Sequence, residues 1–183
     1  MSLHHLALIR TIALALAAGA IVAACDGQRG ATDAAARAAA DSAEQVMYHA
    51  STVVTSNGIR RGTIAGDTVS TYDALTRFRF RHMEIHFTTA LGRPLGLLTA
   101  PAGEYSLGKG LVQTTGPVIV SSDTSGRRLQ TTVVRFDAAT NQLAGDSAFT
   151  ATAGSRKLSG VGFTSDPGLF SVKCLKQCSG SLR

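Results

Sequence analysis

Residues Arg77–Thr88 read RFRFRHMEIHFT. Side chains of a β-strand alternate between two faces, so Phe78 and Phe80 share one face while Arg77, Arg79 and Arg81 share the other. Beyond His82 the apolar set moves to Met83, Ile85 and Phe87. Because the period is two, this change of parity near Arg81 and His82 requires a bulge or a crossing between sheets. The stretch therefore predicts a strand, at 78–88, of an all-β fold in which apolar side chains face an interior.

The surroundings agree. From residue 46 onward the chain is rich in Val, Thr, Ile, Phe and Ser, with Gly, Asn and Asp at short intervals, the composition of strands and turns. Further strands are predicted at 46–55, 59–65, 68–72, 95–100, 103–107, 111–121, 128–136, 142–152 and 157–163. The glycine turns repeat. Gly58 leads into Arg60 and Arg61, Gly92 into Arg93, Gly126 into Arg127 and Arg128, and Gly154 into Arg156 and Lys157; the first three are 34 residues apart and the last follows 28 later. A hairpin repeated at this interval predicts a fold of stacked like units, each covering its neighbour's apolar face.

The N-terminus carries a different message. Basic residues up to Arg10 precede an apolar run at 11–24, the pattern of a secretory signal. Its 14 residues fall short of the ~20 needed to span a bilayer. The run ends Val22, Ala23, Ala24, Cys25, which is similar to the lipobox of bacterial lipoproteins; that resemblance implies cleavage before Cys25 and acylation of its sulfur. Several acyl chains hold a protein to a membrane durably. Asp26 in the second position resembles the inner-membrane retention signal of enteric lipoproteins. Residues 25–45 contain too little apolar bulk to form a core and are predicted to be a tether. The expected divisions are a signal at 1–24, the lipidated Cys25 and tether at 25–45, a β domain at 46–172 and a C-terminal tail at 173–183.

Eighteen Lys and Arg against twelve Asp and Glu give a formal charge of +6, which suits anionic lipid, lipopolysaccharide phosphates or acidic protein faces. An exported, anchored chain does not meet nucleic acid. Besides Cys25 there are two cysteines, Cys174 and Cys178. In an extended tail their Cα atoms would stand ~13 Å apart, so a disulfide requires a turn or coil, and two free thiols are the alternative.

The order and spacing of several segments carry a family resemblance: Glu44, Gln45, Val46, Met47 and Tyr48; Val53, Thr55, Asn57, Gly58, Arg60, Arg61, Ala65, Asp67, Thr68 and Tyr72; Gly126, Arg127, Arg128, Leu129, Phe136 and Asp137; Asp146, Ser147, Ala148 and Phe149; and Gly160, Gly162, Phe163, Ser165, Asp166 and Pro167. Together they resemble the LptC family, the periplasmic bridge proteins of lipopolysaccharide export. The resemblance implies an antiparallel β-jellyroll, a folded two-sheet slab of OstA-like hairpin repeats with an apolar groove between the sheets. It implies that lipopolysaccharide acyl chains pass through this groove from an inner-membrane ABC transporter to a periplasmic LptA-like bridge protein, by edge-strand pairing. The anchor departs from the family, whose best-known members use a transmembrane helix.

Phe78, Phe80, Met83, Ile85, Phe87, Val118, Val120, Val134, Phe136, Phe149 and Phe163 are the expected lining; for each one, ordinary core packing is the competing reading. Arg77, Arg79 and Arg81 are possible phosphate contacts, with a solvated outer face as the plainer reading. His82, Glu84 and His86 would share a face of a regular strand and could hold zinc, but the parity change disturbs them, so no metal, cofactor or catalytic residue is assigned. Strands 157–163 and 46–55 are the candidate docking edges. Three functions are compared: a lipid-conducting bridge, a protein-binding envelope lipoprotein and a metal-dependent envelope enzyme.

Overall fold

The computed structural model describes residues 42–182; the signal, Cys25 and the tether up to residue 41 lie outside the described residues. Eleven strands follow in chain order: β1 (Gln45–Ser56), β2 (Ile59–Tyr72), β3 (Arg77–Thr88), β4 (Pro94–Ser106), β5 (Leu111–Thr115), β6 (Val118–Ser122), β7 (Arg127–Thr131), β8 (Arg135–Asp137), β9 (Gln142–Ala153), β10 (Arg156–Ser165) and β11 (Lys173–Gly180). All pair antiparallel, in the order β1-β2-β3-β4-β5-β8-β9-β10-β11, while β6 and β7 make a second path from β4 to β9.

Two paths exist because the sheet is creased. His49 (φ 49°), His82 (φ 48°), Gly116 (φ 92°) and Gly162 (φ 73°) are left-handed. The pairing sets His49, Asp67, His82, Pro101 and Gly116 in one line across β1 to β5. A left-handed residue interrupts the pleat, so the side chains on its two sides change parity. Accordingly Arg81 and His82 are both exposed, Phe80 and Met83 both buried, as the sequence pattern demands. The β2–β3 and β3–β4 registers resume unshifted beyond the crease. The parity change is therefore a crossing between sheets, shared by neighbouring strands, and not an extra residue in one of them.

The crease divides the slab into two half-sheets. The proximal one holds residues 45–48, 68–72, 77–81, 102–106, β5, β8, 142–145, 163–165 and 173–174; the distal one holds 50–66, 83–100, β6, β7, 148–161 and 176–180. Their inner faces meet in one core containing Ile64, Phe80, Met83, Ile85, Phe87, Leu98, Tyr105, Leu129, Phe136 and Phe163. Met83 lies over Gly103, where an added Cβ would collide with its sulfur. Ala43–Arg183 forms a compact unit that carries the whole described sheet and core, so it holds what it needs to fold alone.

Several boundaries differ from expectation. The predicted strands 59–65 and 68–72 are the two arms of β2, and 95–100 and 103–107 those of β4. Conversely, 111–121 breaks at Gly116–Pro117 and 128–136 at residues 132–134, where the crease interrupts the ladder and Val134 bonds instead to Thr114, accepting from its N–H at 2.9 Å and donating to its Oγ1 at 2.8 Å. Gln45 belongs to β1, and Glu44 donates its N–H to the Thr71 carbonyl at 2.9 Å, so the sheet starts inside the expected tether. The expected tail at 173–183 supplies β11, which pairs with β10; its Lys-rich sequence lacks apolar alternation because only one side of this edge meets the protein. Strand 157–163 is consequently not an edge: β10 is paired on both sides, by β9 and β11. Among the described residues the free edges are β1 and β11.

Cys174 and Cys178 form a disulfide with Cα atoms 5.9 Å apart. Neither a turn nor a helix closes it. Gln177 is left-handed (φ 51°) and the β10–β11 register shifts between Ser159 and Val161, so a bulge within the strand shortens the reach.

Candidate functional site

The site with functional potential is the seam between the half-sheets. Each strand crossing the crease contributes inward side chains to both walls, because the parity change keeps its apolar face inside on either side. Phe87 of the distal wall meets Phe136 of the proximal wall edge-on, ring centroids 4.8 Å apart, and Phe149 meets Phe163 at 5.3 Å. Of the expected lining, Phe80, Met83, Ile85, Phe87, Val118, Val120, Val134, Phe136, Phe149 and Phe163 are buried together in one cluster; Phe78 is half-buried at its margin, 6.2 Å from Tyr105. The structure thus brings all eleven to the seam. A slot standing open there is not what it displays: at these residues the two walls are in contact, which keeps the aromatic side chains from water and adds the packing between their rings.

Opposite the crease, the mouth of the seam is crossed by the connection from β10 to β11, residues 166–172. Leu169 enters the core and is fully buried, although its φ is 55°. Arg127 Nη1 donates to the Leu169 and Phe170 carbonyls at 2.8 and 2.7 Å, tying this strap to β7. Asp166 accepts from the Phe170 and Ser171 N–H groups, and the Pro167 carbonyl leaves no room for a Cβ at Gly96 of β4. Only a glycine fits there. The sequence gives no sign of the strap, because Leu169 and Arg127 are 42 residues apart and nothing local links them.

Outside the seam, the arginine row meets partners. Arg77 donates to Asp73 at 2.7 Å and Arg79 to Glu104 at 3.1 Å, while both guanidinium groups lie over the Tyr72 ring, 4.6 and 4.8 Å from its centroid. The hydrogen bond from Arg77 holds the Asp73 carboxyl below its usual range and raises Arg77 in turn. Two of the three candidate phosphate contacts are therefore neutralised by carboxylates that sequence reading overlooked; Arg81 is exposed at the crease. The kink turns His82 toward Asp67, Nδ1 to Oδ2 3.0 Å, while His86 faces Glu84 at 3.4 Å. Among the described residues no three His, Cys, Asp or Glu side chains come together as a metal site.

A slab creased across its strands, with hairpins at both rims, is a recognisable architecture. It is the fold of LptH. The crystal structure of LptH, the LptA-homologous periplasmic component of the conserved lipopolysaccharide transport device from Pseudomonas aeruginosa, superimposes with a TM-score of 0.52 at 10% sequence identity, covering 66% of this chain and 93% of that one. At this identity the likeness shows the fold: an all-β antiparallel jellyroll of the LptA type. No family model and no curated protein matches the chain.

Proposed function

We propose that this chain is a component of lipopolysaccharide transport, held by a lipidated Cys25 on the periplasmic side of the inner membrane. It takes acyl chains from an inner-membrane ABC transporter into the seam and passes them to an LptA-like bridge protein by edge-strand pairing. It acts as a carrier and catalyses no reaction. The observation that carries this reading is the seam itself: two apolar walls, joined along one crease and bridged at the mouth by a strap with one buried leucine, in a fold shared with LptH. Parting the walls would present a continuous apolar surface, and each CH₂ kept from water there contributes ~0.8 kcal/mol. The LptC resemblance in the sequence supports the same reading.

A photo-reactive residue at Phe78, Phe136 or Phe149 should capture lipopolysaccharide in cells. Crosslinks to protein alone would support a second reading, that of a structural envelope lipoprotein which only binds other proteins; the contact between the walls at Phe87 and Phe136 favours it. For the anchor, Cys25→Ala should abolish acylation and release the protein from membranes. Unchanged membrane retention that persists at high salt would mean that the apolar run at 11–24 is itself the anchor.

A further inference from the structure

The four glycine turns that repeat in the sequence meet on one rim. Residues 57–58, 89–93, 123–126 and 154–155 connect β1 to β2, β3 to β4, β6 to β7 and β9 to β10, and every one of these hairpins closes the distal half-sheet at its end away from the crease. Arg60, Arg61, Arg93, Arg128, Arg156 and Lys157 flank them, all exposed except the half-buried Arg61. None has an ion-pair partner among the described residues, whereas Arg77, Arg79 and Arg135 on the proximal half-sheet are paired with Asp73, Glu104 and Asp146. Asp123 is the one carboxylate in these four turns, whereas at the opposite rim Glu44, Asp73, Asp137 and Asp166 offset the cations Arg77, Lys109 and Lys173. The charge is therefore segregated, end from end.

Adjacent hairpins are two strands apart, ~10 Å, so the row extends over ~30 Å. Cations at that spacing do not converge on a single phosphate, and at physiological salt each acts nearly independently of the next. A plane of negative charge meets all of them at once. Two aliphatic side chains stand among them: Leu91, 82% exposed at the tip of the β3–β4 hairpin and the most exposed large apolar residue described, and Ile59, 38% exposed. Basic groups ringed around exposed aliphatic tips are the chemistry of an interfacial membrane contact. An extended stretch from Cys25 to Glu44 reaches ~65 Å, enough to let this rim return to the surface that an anchor at Cys25 would occupy.

We propose that the distal rim docks on an anionic phospholipid bilayer, its cations against headgroup phosphates and Leu91 in the interface. This is independent of lipid carriage in the seam. Residues 43–183, which lack Cys25 and the apolar run, isolate the rim from the anchor. They should co-sediment with phosphatidylcholine vesicles containing phosphatidylglycerol, leave pure phosphatidylcholine vesicles in solution, and dissociate as salt is raised. Reversing four exposed cations together, Arg60→Glu, Arg93→Glu, Arg128→Glu and Lys157→Glu, should weaken binding about tenfold or more with Tm retained, and Leu91→Ser a few-fold. The same charge change placed elsewhere, at Lys109, Arg135, Lys173 and Lys176, should keep most of the binding. Equal binding to neutral vesicles, equal loss in both quadruple variants, or displacement by inorganic phosphate, which would mark a discrete phosphate site, overturns the proposal. Capture of an acidic protein without vesicle binding overturns it too.

Discussion

The two free edges of the slab are built differently. β1 has twelve residues, pairs regularly with β2 over most of its length, and carries Val46, Tyr48 and Val53 exposed by 48%, 73% and 48%. β11 has eight residues, is bulged at Gln177, tied across the bulge by the Cys174–Cys178 disulfide, and carries Lys173 and Lys176 exposed on either side of one exposed apolar residue, Leu175. Bulges, shortness and lysines are the means by which proteins keep an edge strand from pairing with another chain, and a long, regular, apolar edge invites it. The difference teaches that the β11 side is guarded against strand addition and the β1 side is not, which makes β1 the edge on which to test the edge-strand pairing proposed above.

The largest effect expected from this contrast is on docking. Of two neighbouring residues in an edge strand, one directs its N–H toward the sheet and the other toward the free side. Of Thr52→Pro and Val53→Pro, the variant that keeps its Tm is the one whose N–H faced outward, and it should lose the bridge partner in co-purification. If the partner is retained by that variant, the β1 assignment fails. A smaller effect is expected from the strap that leads into β11. Leu169→Ala removes a fully buried side chain and should cost about 2–5 kcal/mol in denaturant unfolding; a cost near zero would mean that the mouth is not closed by this residue. Next is the disulfide. Cys174→Ser with Cys178→Ser should cost at most about 2 kcal/mol for so short a loop, and should make β11 more prone to pair, read as concentration-dependent self-association in light scattering.

The smallest effect concerns the turn that steadies the start of β1, where Glu44 Oε1 accepts from the Ala74 N–H at 2.8 Å. Asp73, beside it, titrates below its usual range because Arg77 donates to it, and Asp137, at the end of β8, does so because the Thr140 and Ala139 N–H groups donate to it. A carboxyl whose folded value is depressed contributes stability that is present above the unfolded value and is lost as pH falls through the folded one. Stability should therefore decline as the pH drops below about 4, and Asp73→Asn should make the acid limb of a Tm–pH profile slightly shallower. An unchanged limb would show that the Arg77 bridge is too exposed to matter.

How much of this was legible in the sequence varies from element to element for physical reasons. Local alternation is enough to show where a side chain must face, so RFRFRHMEIHFT disclosed the strand and its change of parity near His82, but left a bulge and a crossing as alternatives that only the registers between strands decide. It could not show that His49, Asp67, Pro101 and Gly116 fall on the same line, because that depends on register between strands. The eleven lining residues were legible as inward-facing, yet whether inward means core or cavity depends on how closely the opposite wall approaches. β11 was missed: an edge strand that buries almost nothing has no pattern to read. The arginine row looked free only because Asp73, Glu104 and Tyr72 could not be placed beside it.

By itself the sequence determined the all-β class, the direction of each apolar face and the repeat of basic hairpin turns, since all of these follow from a period of two and from the conformational needs of Asn and Gly in tight turns. Only the tertiary structure decided which strands are edges, that the two walls touch at Phe87 and Phe136, that Leu169 seals the mouth and that four separate turns share one rim. Those facts rest on contacts between residues far apart in the chain, and no local preference encodes such distances.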